Sequence, residues 1–466
     1  MKGITTIELT NEKTGEKKTY KEENMITNLY RDLCLTNLFP ILPVPYVDVF
    51  LLSNYNGDLK KNLFGGLVLF DKTLSTDADD YLMPSDINMI GRGYSIANSS
   101  KDLTLGSYNS GSSVITDNKM SMVWDFNTSQ AVGTINSICL VPTETAFIGF
   151  GKTDTALTNS GSLTTGFYAN PCNIPAGFYA LLQKGCPYYK YFDFENNCFY
   201  TTKVSFSSIH VQKFFLPHTV RSIEKWSCES LSLLDEKEIT YPSEIQELAT
   251  SSTAQRIGCN MMANKLFVTF YYYDDKIPSD GNIYVYILEL NNSQFKLKTI
   301  KNTTGYDLES TRIITDKYIA FPAKDNNKYI YFVLNIDTGE FSRLKFNNEE
   351  VDFWRTNYRV FIVNSDIVVS DLYFGNDSKS AALMFDLSTA TVKVLNVANN
   401  NLPNHYDSYY PIDKKGLFLC PYYNGSSSYE QIIINPFVLS TKNNLSTPIV
   451  KTSEQSMKIT YELIKE

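Results

Sequence analysis

Ile283 to Leu297 reads IYVYILELNNSQFKL, Tyr329 to Leu344 reads YIYFVLNIDTGEFSRL, and Ala381 to Leu395 reads AALMFDLSTATVKVL. Each stretch is an aromatic or β-branched run, a polar turn, and a second apolar strand. The turns fall near Asn292, Thr338 and Thr389, a period of 46 to 51 residues. A repeat of that size predicts stacked β-units. Val204 to Phe215, Leu266 to Tyr273, Tyr318 to Phe321, Ile367 to Val369 and Leu417 to Tyr423 read as inner or middle strands of the same units. Tyr429 to Leu439 reads as a degenerate further copy. At this period residues 205 to 440 hold about five units. A four-stranded blade needs neighbours on both faces, and closing the row into a ring supplies them. A five-bladed propeller is therefore expected, with an open solenoid or a pair of sandwiches as the alternatives.

Outward from the repeat, Ile4 to Tyr20 reads as a hairpin turning at Thr14-Gly15. Asn24 is placed to cap a helix through about Leu38, with Ile26, Leu29, Tyr30 and Leu33 on one face. Phe64 to Phe70 reads as a buried strand behind a glycine pair, and Asp71 to Gly93 as a polar surface loop. Met120 to Phe126 and Thr134 to Val141 read as strands, and Gly149 to Thr165 as a surface region. Pro448 to Leu463 returns to alternating strand character. These readings give an all-β chain: an N-terminal β-sandwich or jelly-roll-like domain over 1–200, the propeller over 201–445, and a C-terminal strand over 446–466 that returns to the first domain.

Composition narrows the function. The 466 residues carry a net charge of −8 with no long basic run, which argues against nucleic-acid binding. No apolar window is long enough for a membrane span, and the first residues lack a signal peptide's apolar core, so folding in a cytoplasm is expected. The eight cysteines include no C-x-x-C pair, so no zinc framework is expected. Scattered reduced thiols are the expectation, with a bridge left open only among Cys172, Cys186 and Cys198. His210, His218 and His405 show no metal-ligand spacing. Asp77, Asp79 and Asp80 form an acidic cluster without the glycine and glutamate of an EF-hand, and are read as a solvated loop rather than a calcium site. No nucleophile elbow or phosphate loop is present. No cofactor or metal is expected.

The tyrosine clusters 271–273, 409–410 and 422–423 carry the ligand reading. Loop tyrosines stack on sugars or anchor interfaces, although consecutive tyrosines in a strand face opposite ways and one of each set then belongs to the core. Tyr273, Tyr409, Tyr410, Tyr422 and Tyr423 are the candidate contact residues.

Two segments, Val123 to Thr134 (VWDFNTSQAVGT) and Lys451 to Leu463 (KTSEQSMKITYEL), resemble stretches of minor tail and baseplate-region proteins of tailed phages infecting Firmicutes. Asn24 to Asn28 (NMITN) and Phe64 to Asp71 (FGGLVLFD) fit the same group. The resemblance covers roughly residues 1 to 150 and the final twenty. Trp124 and Phe126 are expected to share a core-facing side, with Asp125 outward. The resemblance implies a virion structural protein in the tail, baseplate or fibre, assembled in the host cytoplasm. Its partners would be other virion proteins, further copies of itself and a host-surface glycan. A cell-wall polysaccharide depolymerase and a purely structural adaptor are the competing readings; a pair of carboxylates across a propeller mouth would mark the first.

Overall fold

The computed structural model describes residues 2–29, 64–142, 189–215, 233–246, 256–346, 349–395 and 410–465, apart from short gaps inside those ranges. The chain is all-β. Eight strands come first: β1 (Lys2–Asn11), β2 (Lys17–Ile26), β3 (Gly66–Phe70), β4 (Met89–Gly93), β5 (Ser107–Tyr108), β6 (Val114–Ile115), β7 (Lys119–Phe126) and β8 (Gly133–Val141). Twenty-three strands of the repeat region follow, and β32 (Thr441–Lys451) and β33 (Gln455–Ile464) end the chain.

The first eight strands and the last two form one sheet, ordered β4-β3-β8-β32-β2-β1-β33-β7-β5, with β6 beside β7. The two ends of that order meet. Arg92 of β4 bridges Leu105, two residues before β5; its N–H donates to Thr104 O and its carbonyl accepts from Gly106 N, both at 2.8 Å. The expected sandwich is therefore a single sheet rolled into a nearly closed barrel. Closure removes the exposed edges that two separate sheets would leave.

Alternation fills the inside. Thr5, Ile7 and Leu9 of β1 and Met457, Ile459, Tyr461 and Leu463 of β33 are buried. Trp124 and Phe126 are wholly buried on one side of β7 while Asp125 points outward to Asn109. Two glycines make room for those rings, and a third for the side chains beside them. A Cβ on Gly93 would lie 2.5 Å from Trp124, and one on Gly106 would lie 2.7 Å from Phe126. A Cβ on Gly91 would lie 2.7 Å from Ala131. Burying side chains of this size stabilises by about 1.5–3 kcal/mol each.

Two expectations need correcting here. Asn24 does not cap a helix: it is in β2, buried, with its amide 2.8 Å from the Thr5 hydroxyl. Ile26 ends β2 and Leu29 is helical, and 30–38 of the expected helix lie outside the described residues. The Asp71–Gly93 loop buries Leu74, Tyr81, Leu82, Met83 and Ile87 and ends in β4, whose Gly93 answers Trp124 rather than a turn. Gly149 to Thr165 lies outside the described residues.

The described residues of the repeat region form five sheets, each read inward to outward along the chain. The first is β9 (Tyr189–Asp193), β10 (Cys198–Val204), β11 (Ser208–Phe215) and β12 (Leu233–Thr240). It begins at Tyr189, inside the span expected for the N-terminal domain. The second is β13 (Arg256–Met262), β14 (Lys265–Tyr271), β16 (Asn282–Glu289) and β17 (Phe295–Lys301). The third is β18 (Leu308–Glu309) and β19 (Ile313–Ile314) along β20 (Tyr318–Asp325), then β21 (Lys328–Asn335) and β22 (Phe341–Arg343), with β15 (Lys276–Ile277) added from the second unit. The fourth is β25 (Val360–Ile362), β26 (Ile367–Phe374), β27 (Lys379–Asp386) and β28 (Thr391–Leu395); β23 (Lys345–Phe346) pairs in parallel with β28, and β24 (Glu349–Glu350) pairs with β23. The fifth is β29 (Tyr410–Pro411), β30 (Leu417–Tyr423) and β31 (Ser428–Ile434).

The continuous apolar runs are explained by burial on both faces. In β21, Ile330, Phe332 and Leu334 pack with Ile283 and Val285 of the second sheet, while Tyr331 and Val333 pack with Leu383 and Phe385 of the fourth. In β16, Tyr286 and Leu288 pack with Ile209 and Val211 of the first sheet. The innermost strands also run side by side: β13 lies next to β9 and β19, and β25 next to β29. Phe214 of the first sheet and Val369 and Met384 of the fourth join the apolar cluster of the barrel. This is a five-sheet propeller inserted in the barrel.

The repeated turns share one device. Asn335 Oδ1 accepts from the N–H groups of Asp337 and Thr338, and Asp386 Oδ1 accepts from those of Ser388 and Thr389. The residue that closes each turn has positive φ: Ser293 (58°), Gly339 (75°) and Ala390 (50°). Their spacing reproduces the sequence period.

Candidate functional site

The insert leaves and re-enters the barrel on adjacent strands. β8 runs out to Val141, and β32 returns beside it, antiparallel. Ser440 N donates to Leu140 O, and Leu140 N donates to Thr441 Oγ1. The returning segment is fastened twice more. Met83 N donates to Phe437 O and Leu439 N to Tyr81 O, while Thr27 Oγ1 donates to Leu439 O at 2.8 Å.

Two buried lysines pin loops to this stem. Lys442 Nζ donates to the carbonyls of Asp77 and Asp80 at 2.6 and 2.7 Å, so the chain's own ammonium fills the centre of the acidic loop. Burial pulls its pKa below the ordinary lysine value. Lys451 Nζ donates to Asn127 O and Thr128 O, with burial drawing its pKa down to about 8. The same turn is tied by Gln130 Oε1, which accepts from Asn127 N at 2.8 Å. The W-D-F-x-T-S-Q residues are thus fold determinants at the barrel end.

Of the sequence-predicted contact residues, Tyr273 and Tyr409 lie outside the described residues. Tyr410 is in β29, opposite Leu419. Tyr422 and Tyr423 end β30, opposite Tyr429 and Ser428. The fold thus brings Tyr410, Tyr422 and Tyr423 into one sheet, the last of the propeller. His210 lies 2.8 Å from Glu236 across β11 and β12, while His218 and His405 are outside the described residues. Cys139 and Cys198 are free thiols; Cys172 and Cys186 are not among the described residues. Burial pushes the Cys139 thiol up to about 12. Among the described residues no three His, Cys, Asp or Glu side chains converge on a metal-sized site.

An opening of about 270 Å³ lies between the first two propeller sheets. Tyr200, Lys213, Asp235 and Lys237 line one wall, and Asn291 and Ser293 of the β16–β17 turn line the other. Lys213 is on the face of β11 that carries Ile209 and Val211 into the inter-sheet core, and its ammonium lies 5.5 Å from the Tyr200 ring centre. Lys237 holds Asp235 at 2.9 Å and keeps that carboxyl below its usual range. Burial, with Cys198 beside it, raises the Tyr200 phenol well above its ordinary value. The wall therefore presents ammonium, amide and hydroxyl groups. The sequence held one signal for this cleft: a lysine in the i, i+2 series of an apolar strand face.

No family model matches the chain, and no curated protein matches it. Among solved structures it is similar to TolB from Acinetobacter baumannii, at 9% identity over 68% of this chain and 88% of that one, with a TM-score of 0.18. It is also similar to the Malassezia sympodialis allergen Mala s 1, at 10% identity over 58% and 91%, TM-score 0.29. A Lactobacillus plantarum protein gives 10% identity over 85% and 99%, TM-score 0.27. The architecture described above rests on strand pairing alone.

Proposed function

We propose that this chain is a virion protein of a tailed phage, in the tail, baseplate or fibre, in which the barrel attaches to the particle and the propeller meets the host surface. One observation supports the reading most: both chain ends are woven into the barrel, and the propeller hangs from two adjacent strands, β8 and β32. That layout separates a carrier from a displayed module. The phage assignment comes from the resemblance of Val123 to Thr134 and Lys451 to Leu463. In the displayed module, the fifth-sheet tyrosines and the Lys213 cleft supply glycan-contacting groups, and several copies on one particle raise the avidity of weak contacts.

Cryo-electron microscopy of the particle that carries this chain tests the reading. The expected result is a barrel seated on tail proteins with the propeller projecting. Absence of the chain from purified particles would end the proposal. A propeller enclosed by other subunits would leave an adaptor instead. Release of soluble sugar from purified cell walls by the isolated chain would favour the depolymerase.

A further inference from the structure

The outer wall of the barrel carries a second polar concavity, of about 600 Å³. Its floor is built by strand register. Ser107, Asp125, Lys458 and Glu8 are successive cross-strand partners on β5, β7, β33 and β1. Ser456, Thr10 and Lys17 form the next row on β33, β1 and β2. Strands lie about 4.8 Å apart, so the first row is roughly 14 Å long. Asn98 and the Asn127–Gln130 turn wall one side.

The chemistry of the lining selects among ligands. Its two carboxylates, Glu8 and Asp125, are matched by two ammonium groups, Lys17 and Lys458, so an anion or cation gains no net attraction. Its apolar members, Phe126 and Met457, are buried core residues, 1% and 2% exposed. The groove thus lacks the apolar centre that anchors a protein partner. What remains is a mixed array of donors and acceptors, several held rigid. Asp125 Oδ2 accepts from Asn109 Nδ2 at 2.7 Å, Asn98 Nδ2 donates to Leu105 O, and Gln130 is tied to its turn. Sugar hydroxyls both donate and accept, which matches such an array.

We propose that this groove binds a neutral saccharide chain, giving the barrel a carbohydrate site of its own. It goes beyond the function proposed above, since no residue of the propeller takes part. The test uses the full chain with chitotriose, maltotriose and cellotriose as probes, followed by saturation-transfer NMR. Saturable binding of at least one probe is expected. The double variant Glu8→Gln with Lys458→Met weakens it at least tenfold at unchanged melting temperature, as expected on losing hydrogen bonds to charged groups. Lys324→Met, at an exposed position of β20 in the propeller, leaves it unchanged. No binding of any probe at millimolar concentration, binding that survives the double substitution, or binding lost in Lys324→Met would overturn the proposal. So would a particle map showing a neighbouring polypeptide seated in the groove.

Discussion

The barrel and the propeller are both made of antiparallel strands, yet they are assembled in opposite ways. In the barrel, β1 pairs with β33 along its whole length, joining the two ends of the chain, and β8 pairs with β32. Each propeller sheet is instead built almost entirely from strands that follow one another in sequence. The barrel thus depends on contacts between distant segments, which are slow to form and are lost together, whereas the propeller is a series of local units joined by nearest-neighbour interfaces. A lesion should therefore spread through the barrel and stay local in the propeller.

The largest expected effect is in the barrel. Trp124→Ala removes the ring for which Gly93 makes room and should cost about 3–5 kcal/mol. Hydrogen exchange should quicken in β1, β33 and β8 together while β16 and β21 keep their protection. Propeller protection lost in step with the barrel would break the contrast.

Next comes the seam. Arg92 is buried and Asp102 half-buried, 2.6 Å apart, and Thr104 donates twice to the same carboxylate. Burial alone would raise the Asp102 pKa; Arg92 and Thr104 outweigh it and hold the carboxyl below its ordinary value. Asp102→Asn should cost about 3 kcal/mol by leaving the guanidinium without its counter-charge. A depressed carboxyl stabilises fully above the ordinary carboxylate pKa and loses that contribution as pH falls through its folded value. Acidification below about pH 4 should therefore narrow the gap between wild type and Asp102→Asn. Urea melts across pH 3 to 7 measure it, and a constant gap would count against the pair.

In the propeller the changes should be smaller and local. Gly339 and Ala390 close equivalent turns at φ of 75° and 50°. Gly339→Ala should cost about 1 kcal/mol and Ala390→Gly should gain somewhat less, because only glycine adopts that region freely. Opposite signs at matched positions would sharpen the repeat reading; equal signs would undo it. The smallest effect is expected at Lys298, whose ammonium clips the second sheet to Ile336 O and Asp337 of the third. Lys298→Met should cost up to about 1 kcal/mol, with faster exchange confined to β17 and the β21–β22 turn.

Much of this contrast was legible in the residues. Runs such as Tyr329 to Leu334 are apolar at every position because each face has its own neighbouring sheet, and the recurring Asx turns set the period. The pairing of the C-terminal strand with the first domain was also readable, from its alternation. Barrel closure was not. It depends on Gly91, Gly93 and Gly106, whose meaning is set by side chains elsewhere in the sequence, so glycine read as loop where it marks contact. Asn24 misled for a related reason: its amide suits a helix cap, yet here it meets Thr5 across the hairpin. The cleft at Lys213 and the groove at Lys458 arise from register between distant strands, which no local pattern encodes.

Because the two stem strands leave the barrel at the same end and in mutual contact, a tug on the propeller draws both along their own axes. The load then falls as shear on the ladder from β8 to β3 and on the shorter one from β32 to β2, whose hydrogen bonds resist together instead of peeling open one by one. The joint is built to withstand traction on the propeller.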